Sequence, residues 1–137
     1  MAAISGVLPH AIETDDGILH PEQVREAFRP PGGYTNVSCM LVLENTHNLA
    51  GGRVVSLDRM RELTSTARDL GRPVHLDGAR IHNAAAALGV SAAELSAGCD
   101  SVMFCLSKGL GAPVGSMLVG DGPFISDARK VRKMLGG

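Results

Sequence analysis

Three polar clusters in this chain each follow a short apolar run, and their residue types point to chemistry on a carbonyl compound. Lys108 comes after the run Cys99 to Leu106 and before the small residues Gly109-Leu110-Gly111-Ala112. A lysine held against apolar walls loses solvation of its ammonium form, which favours the neutral amine. A neutral amine attacks an aldehyde and forms a Schiff base. The neighbouring glycines let a bulky partner approach the backbone. The alternative is a solvated lysine in a turn. Asp77 closes the run Val74-His75-Leu76. A carboxylate there can pair with the protonated nitrogen of an aromatic ring, or it can cap a helix beginning near Arg80. Arg80 carries a planar fork suited to a substrate carboxylate; its alternative is an ordinary surface ion pair. The third cluster, Glu44-Asn45-Thr46-His47-Asn48, offers His47 and Asn48 for a cofactor oxygen or for proton transfer. A lone loop histidine is also a common structural residue.

Other chemistries lack their residues. The histidines at 10, 20, 47, 75 and 82 have no HExxH or comparable spacing, which argues against a metal site. Gly109-Leu110-Gly111-Ala112-Pro113-Val114-Gly115 fails as a dinucleotide loop, because its third glycine is one residue late and Pro113 replaces the required helix. The formal charge of −1, without a basic stripe, argues against a nucleic-acid partner. No apolar run approaches the roughly 20 residues that span a bilayer, and Met1 to His10 lacks the features of a signal peptide. The cysteines at 39, 99 and 105 are odd in number and form no CxxC pair, so a reducing, cytoplasmic setting is expected.

Elements must bring these clusters together. A chain of 137 residues suits one domain, and with 3% aromatics its core must be built from Val, Leu, Ile, Ala and Met. Pro21 to Phe28 reads as a short helix, stopped by Arg29-Pro30-Pro31-Gly32-Gly33. Val37 to Leu43 reads as a buried strand. Ser56 caps a helix to about Leu70, with Met60, Leu63, Ala67 and Leu70 on its apolar face and Gly71 as its stop. Val74 to Leu76 is a second strand. Ile81 to Leu88 is a helix ended by Gly89, and Ser91 with Glu94 forms the capping box of another. Cys99 to Leu106 and Val114 to Val119 are further strands, followed by a helix over Asp121 to Leu135. This alternation predicts an α/β fold with a mostly parallel sheet flanked by helices. The last two strands are joined too tightly for a crossover helix, so they are antiparallel neighbours or separated by a third strand. Ligand sites in such sheets form at the carboxyl ends of strands, where all three clusters fall.

Taken together, the clusters resemble a known family. Leu43-Glu44-Asn45-Thr46-His47-Asn48 with Gly51-Gly52-Arg53-Val54 resembles the strand-end loop of low-specificity L-threonine aldolases, enzymes dependent on pyridoxal 5'-phosphate (PLP). His75-Leu76-Asp77-Gly78-Ala79-Arg80-Ile81 is similar to their pyridine-binding strand. Ser101 to Leu110, followed by Ala112-Pro113-Val114-Gly115-Ser116, is similar to their Schiff-base lysine segment, and Arg132 to Gly137 matches the helix that follows. The resemblance spans nearly the whole chain and is weakest over Met1 to Thr35.

That resemblance implies a PLP-transferase large domain and cleavage of L-threonine or L-allo-threonine to glycine and acetaldehyde. It implies Lys108 as the residue bonded to the cofactor, Asp77 at the pyridinium nitrogen, Arg80 at the substrate carboxylate with His47 nearby, and Asn48 near the ring's phenolic oxygen. Full members are two to three times longer. The resemblance therefore implies that residues 1–137 are part of the large domain, without the N-terminal phosphate-binding part and the C-terminal small domain, and that the full-length proteins are homo-oligomers. The expectation for the isolated chain is little or no activity. Two other readings stay open: a non-catalytic remnant serving as an interaction module, and another PLP β-eliminating lyase.

Overall fold

The computed structural model describes all residues except Met1, Gly33 and Thr35; Gly33, named above in the stop after the first predicted helix, lies outside the described residues. In chain order the elements are α1 (Ala2–Ser5), α2 (Pro21–Ala27), β1 (Leu41–Glu44), α3 (Leu57–Asp69), β2 (Val74–Asp77), α4 (Ile81–Leu88), α5 (Ala92–Ser96), β3 (Ser101–Cys105), β4 (Ser116–Gly120) and α6 (Gly122–Met134). The strands form one sheet in the order β1-β2-β3-β4, parallel across the first three and antiparallel at the last. The expected α/β sheet is therefore present, and the last two strands are direct neighbours.

Strand alternation divides the sheet into two unlike faces. Leu43, Val74 and Leu76 point to one face and pack in a single cluster with Met60, Leu63 and Ala67 of α3, Ile81, Ala84 and Ala85 of α4, and Leu95 of α5. Both parallel connections advance across the sheet in the same direction, and a shared right-handed crossover then brings their helices to the same side. The opposite face carries Val42 and Glu44, His75 and Asp77, Ser101 and Met103, and Leu118. Val42 and Leu118 there are exposed. On β4 both faces are open, since Met117 and Val119 are exposed as well.

Local signals explain most boundaries. Ser56 accepts a hydrogen bond from the Arg59 amide at 3.2 Å and starts α3. Gly71, at φ +66°, ends it while the Arg72 amide reaches back to the Ala67 carbonyl. Ser91 and Glu94 form the expected capping box on α5. The first strand is shorter than predicted. It was expected over Val37 to Leu43, but its ladder begins at Leu41, whose amide donates to the Pro73 carbonyl. Proline has no amide to extend the pairing backwards, so residues 37–40 run on without a partner strand. The third strand starts at Ser101 instead of Cys99, because the Cys99 amide is used by Ser96 at the end of α5. The N-terminal turn α1 was not foreseen.

The loop after β1 is held by Asn45, which is fully buried. Its side-chain amide donates to the Val55 carbonyl at 2.9 Å, and its side-chain oxygen accepts from the Val55 amide at 3.1 Å. Asn45→Ala strips both partners from buried Val55, at about 1–3 kcal/mol for each orphaned group. Chemical denaturation should show the midpoint falling by a matching amount; Asn45→Asp can still accept from the Val55 amide but cannot donate to its carbonyl and buries a charge, so it should be no milder than Asn45→Ala.

Candidate functional site

The parallel register puts the predicted clusters at one end of the sheet. Glu44 is the register partner of Asp77, and Asp77 is the register partner of Met103. Register partners in adjacent strands project to the same side, so both carboxylates stand on the open face. Past β2 the chain turns immediately. The Gly78 amide donates to the Met103 carbonyl at 2.8 Å, and the Ile81 amide donates to the Gly78 carbonyl at 2.8 Å. A Cβ on Gly78 would lie 2.9 Å from the Met103 carbonyl oxygen, so no larger residue fits between the strands there.

Asp77 is half-buried. Its Oδ1 accepts from the Ala79 amide at 3.1 Å, which fixes the carboxylate in a turn. It does not serve as the N-cap of α4: that position is Arg80, which makes no side-chain capping bond. Among the described residues Asp77 has no ion-pair partner, and neither does Arg80. The surface ion pair considered for Arg80 is thus not formed.

Lys108 lies in the loop between β3 and β4. The Gly111 amide donates to the Lys108 carbonyl at 3.0 Å and the Ala112 amide to the Leu106 carbonyl at 2.9 Å, so Lys108 opens a tight turn completed by Gly111 at φ +72°. Gly109 sits against α4, where an added Cβ would be 2.6 Å from Asn83 Oδ1. The Gly78–Met103 bond joins the turn after Asp77 to β3, and the Gly109 contact sets the lysine loop against α4, the helix that this turn begins. Of the two readings of Lys108 from its position, the solvated lysine in a turn is the one observed: Lys108 is exposed, as are Ser107, Gly109 and Leu110 around it. The apolar walls expected around its amine are not supplied by the described residues, because the turn projects from the end of the sheet and nothing packs over it.

His47 is the most constrained of the predicted residues. Its Nδ1 accepts from the Ala50 amide at 3.1 Å, its own amide donates to the Arg53 carbonyl at 2.8 Å, and its Nε2 lies 3.8 Å from Glu44 Oε2. Gly17 packs on the imidazole, and a Cβ there would collide with Ala50. Arg53 secures this turn by reaching Asp16 Oδ2 at 3.4 Å. The Ile18 amide bonded to Asp16, with Arg53 beside it, holds that carboxyl below its usual range despite some desolvation. The Asn48 amide donates to Glu44 Oε1 at 3.1 Å, while its side chain is exposed.

A cavity of about 760 Å³ runs beside β1, lined by apolar residues of 7–12, α2 and 37–43. Glu44, His47 and Asp77 are among its lining residues, whereas Asn48, Arg80 and Lys108 are not. Two residues bordering the site escaped sequence reasoning. Glu44 and His75 were each quoted within a motif but given no role at the site, and His75 was otherwise weighed as a metal ligand. Their places depend on cross-strand register. Among the described residues no group of His, Cys, Asp and Glu side chains is arranged to hold a metal ion, and no helix is long and apolar enough to cross a membrane.

Comparison with known proteins gives this arrangement a context. Low-specificity L-threonine aldolase 1 of Arabidopsis thaliana is 44% identical over 140 residues, taking in all of this chain and 39% of that protein. The low specificity L-threonine aldolase of Escherichia coli K12 is 39% identical over 137 residues, taking in 99% of this chain and 40% of that protein. The chain thus spans about two fifths of the length of these curated relatives. Among solved structures, a candidate L-allo-threonine aldolase from Listeria monocytogenes EGD-E superposes with a TM-score of 0.84 at 24% identity, over 99% of this chain and 36% of that one. Leishmania major threonine aldolase superposes with a TM-score of 0.77 at 19% identity, over 90% of this chain and 36% of that one. At those identities the two structures establish the shared fold alone. The model of the beta-eliminating lyases matches residues 1–137, and the chain belongs to that family.

Proposed function

We propose that this chain is the cofactor-anchoring part of a PLP-dependent carbon–carbon lyase that cleaves L-threonine and L-allo-threonine to glycine and acetaldehyde. The observation that carries the reading is that the Asp77 turn and the Lys108 loop follow the carboxyl ends of adjacent parallel strands, with the lysine loop set against the helix that the Asp77 turn begins. The similar proteins named as threonine aldolases support the substrate class.

The residues present fit the group. Asp77 is a half-buried carboxylate with one oxygen held by the Ala79 amide and no counter-charge among the described residues, which suits a protonated ring nitrogen. Lys108 offers a primary amine free of ion pairs for a covalent bond to the cofactor's aldehyde carbon. When bound, PLP supplies the electron sink for the charge left at Cα as the Cα–Cβ bond breaks. The chain's own residues position and bind. Asp77 keeps a positive charge on the ring. Arg80, half-buried and unpaired, presents its guanidinium to the substrate carboxylate. Asn48 is assigned to the ring's phenolic oxygen, and His47 to the substrate end of the site. The free cysteines suit a reducing compartment such as the cytoplasm, where amino-acid catabolism and glycine formation would place this activity.

The exposure of Lys108 favours a second statement about this chain by itself. Its site is open on one side, so the isolated 137-residue chain is assigned weak cofactor binding and little turnover. We assign the phosphate cradle and the small domain to polypeptide beyond residues 1–137, and we assign the assembled enzyme to a homo-oligomer.

Incubation with PLP followed by borohydride reduction should leave a stable pyridoxyl label on Lys108, read by peptide mass spectrometry. A label spread over surface lysines, unchanged in Lys108→Ala, would remove the site assignment. In a full-length protein carrying this segment, allo-threonine should yield glycine while tyrosine and tryptophan yield no ammonia; the reverse pattern would transfer the protein to another β-eliminating branch. Arg80→Lys in that protein should raise KM for threonine by about tenfold or more with a smaller change in kcat, since a point charge replaces a two-pronged contact.

A further inference from the structure

We propose that His75, held by Ser101, is a positioning residue for Asp77 and makes cofactor retention depend on the imidazole being neutral. The inference rests on the proposed function, because it concerns the same ring-binding carboxylate.

The geometry comes from the strands. His75 and Asp77 are two residues apart on β2, so their side chains share the open face, with their Cα atoms about 6.6 Å apart along the strand. His75 is in register with Ser101 of β3. His75 Nδ1 and Ser101 Oγ share a hydrogen bond at 2.7 Å, and Ser101 is buried at 7% exposure. The ring is thus anchored at one nitrogen beneath the carboxylate that the site uses. Asp77 has no positively charged partner among the described residues, so the state of His75 matters to it.

The other groups facing this spot are few. On β1 the register partners are Val42 and the carboxylate Glu44. On β3 they are Ser101 and Met103, and the same rows reach Gly120 and Leu118 on β4. Arg80 follows on the turn into α4, and His10, Arg29, Cys39, His47 and Arg72 line the cavity that Asp77 reaches. His75 is the one titratable group on the strand that bears Asp77, apart from Asp77 itself.

Burial pushes the His75 imidazole below its ordinary range, and the Asp77 charge partly opposes this. Burial thus disfavours a positive charge on His75 that would compete with a protonated ring nitrogen for Asp77. As the pH falls through the His75 titration, an imidazolium forms beside Asp77 and repels a second cation there. Linkage is reciprocal: a cofactor cation on Asp77 should push the His75 titration to still lower pH.

The test measures PLP affinity by absorbance of the bound cofactor in a full-length protein carrying this segment, from pH 8 to pH 5, with Lys108 labelling as a control. His75→Gln keeps a group able to bond Ser101 but cannot become charged. The unmodified protein should lose about threefold to tenfold more affinity across this range than His75→Gln, from two like charges at that spacing in a partly solvated site. Ser101→Ala, which frees the ring, should give an intermediate profile. Histidine NMR should show the His75 titration moving to lower pH when PLP is added. Parallel pH profiles for the unmodified protein and His75→Gln, with Lys108 labelled in both, would overturn this inference and leave the proposed function intact. Absence of Lys108 labelling in the unmodified protein would instead overturn the proposed function on which it rests.

Discussion

Everything chemical in this chain depends on the register of three short parallel strands. Pairing Glu44 with Asp77, and Asp77 with Met103, brings the ends of β1, β2 and β3 to one level. A slip of one residue in β2 would turn Asp77 and His75 into the apolar layer and Leu76 out of it. Leu76 is fully buried and Val74 nearly so, and moving them to solvent while burying a carboxylate is opposed on both counts. The hydrophobic core therefore fixes where the polar residues stand. It also leaves the opposite face free, since α3, α4 and α5 all pack on the side of Leu43 and Leu76.

Features set by a few consecutive residues were legible in the sequence. The caps at Ser56 and Ser91, the stops at Gly71 and Gly89 and the apolar stripe of α3 are local, and each is present. Strand ends were less legible, because they depend on the partner. Pro73 lies in another segment, yet it decides that β1 begins at Leu41 and not at Val37. Contacts that span the sheet were beyond sequence reasoning altogether. The bond between His75 and Ser101 joins residues 26 apart, and Asn45 staples Val55 ten residues away. The surroundings of Lys108 stayed open between two readings for a related reason. An apolar run before a lysine says what precedes it, whereas solvation depends on what covers it.

The two halves of the chain differ in how completely they are packed. From α2 to β3 the buried apolar residues meet in one cluster, with Val37, Met40, Val42 and Leu49 left outside it. Beyond β3, Met117, Leu118, Val119, Phe124 and Val131 are exposed, and the lysine turn lies at the junction. Anchoring chemistry and open surface thus lie side by side. A carboxylate set in a rigid turn and an amine on an exposed loop follow adjacent strands, and the chain that carries them spans about two fifths of its relatives' length.

The central claim is that Asp77 and Lys108 grip one and the same ring. A double-mutant cycle on PLP affinity, with Asp77→Asn, Lys108→Ala and the pair, in a full-length protein carrying this segment, tests that claim most directly. Two groups on one ligand should be coupled, so the double variant should lose less affinity than the two single losses combined, by more than about 0.5 kcal/mol. Losses that simply add would mean that the carboxylate and the amine serve separate places, and the account would fail.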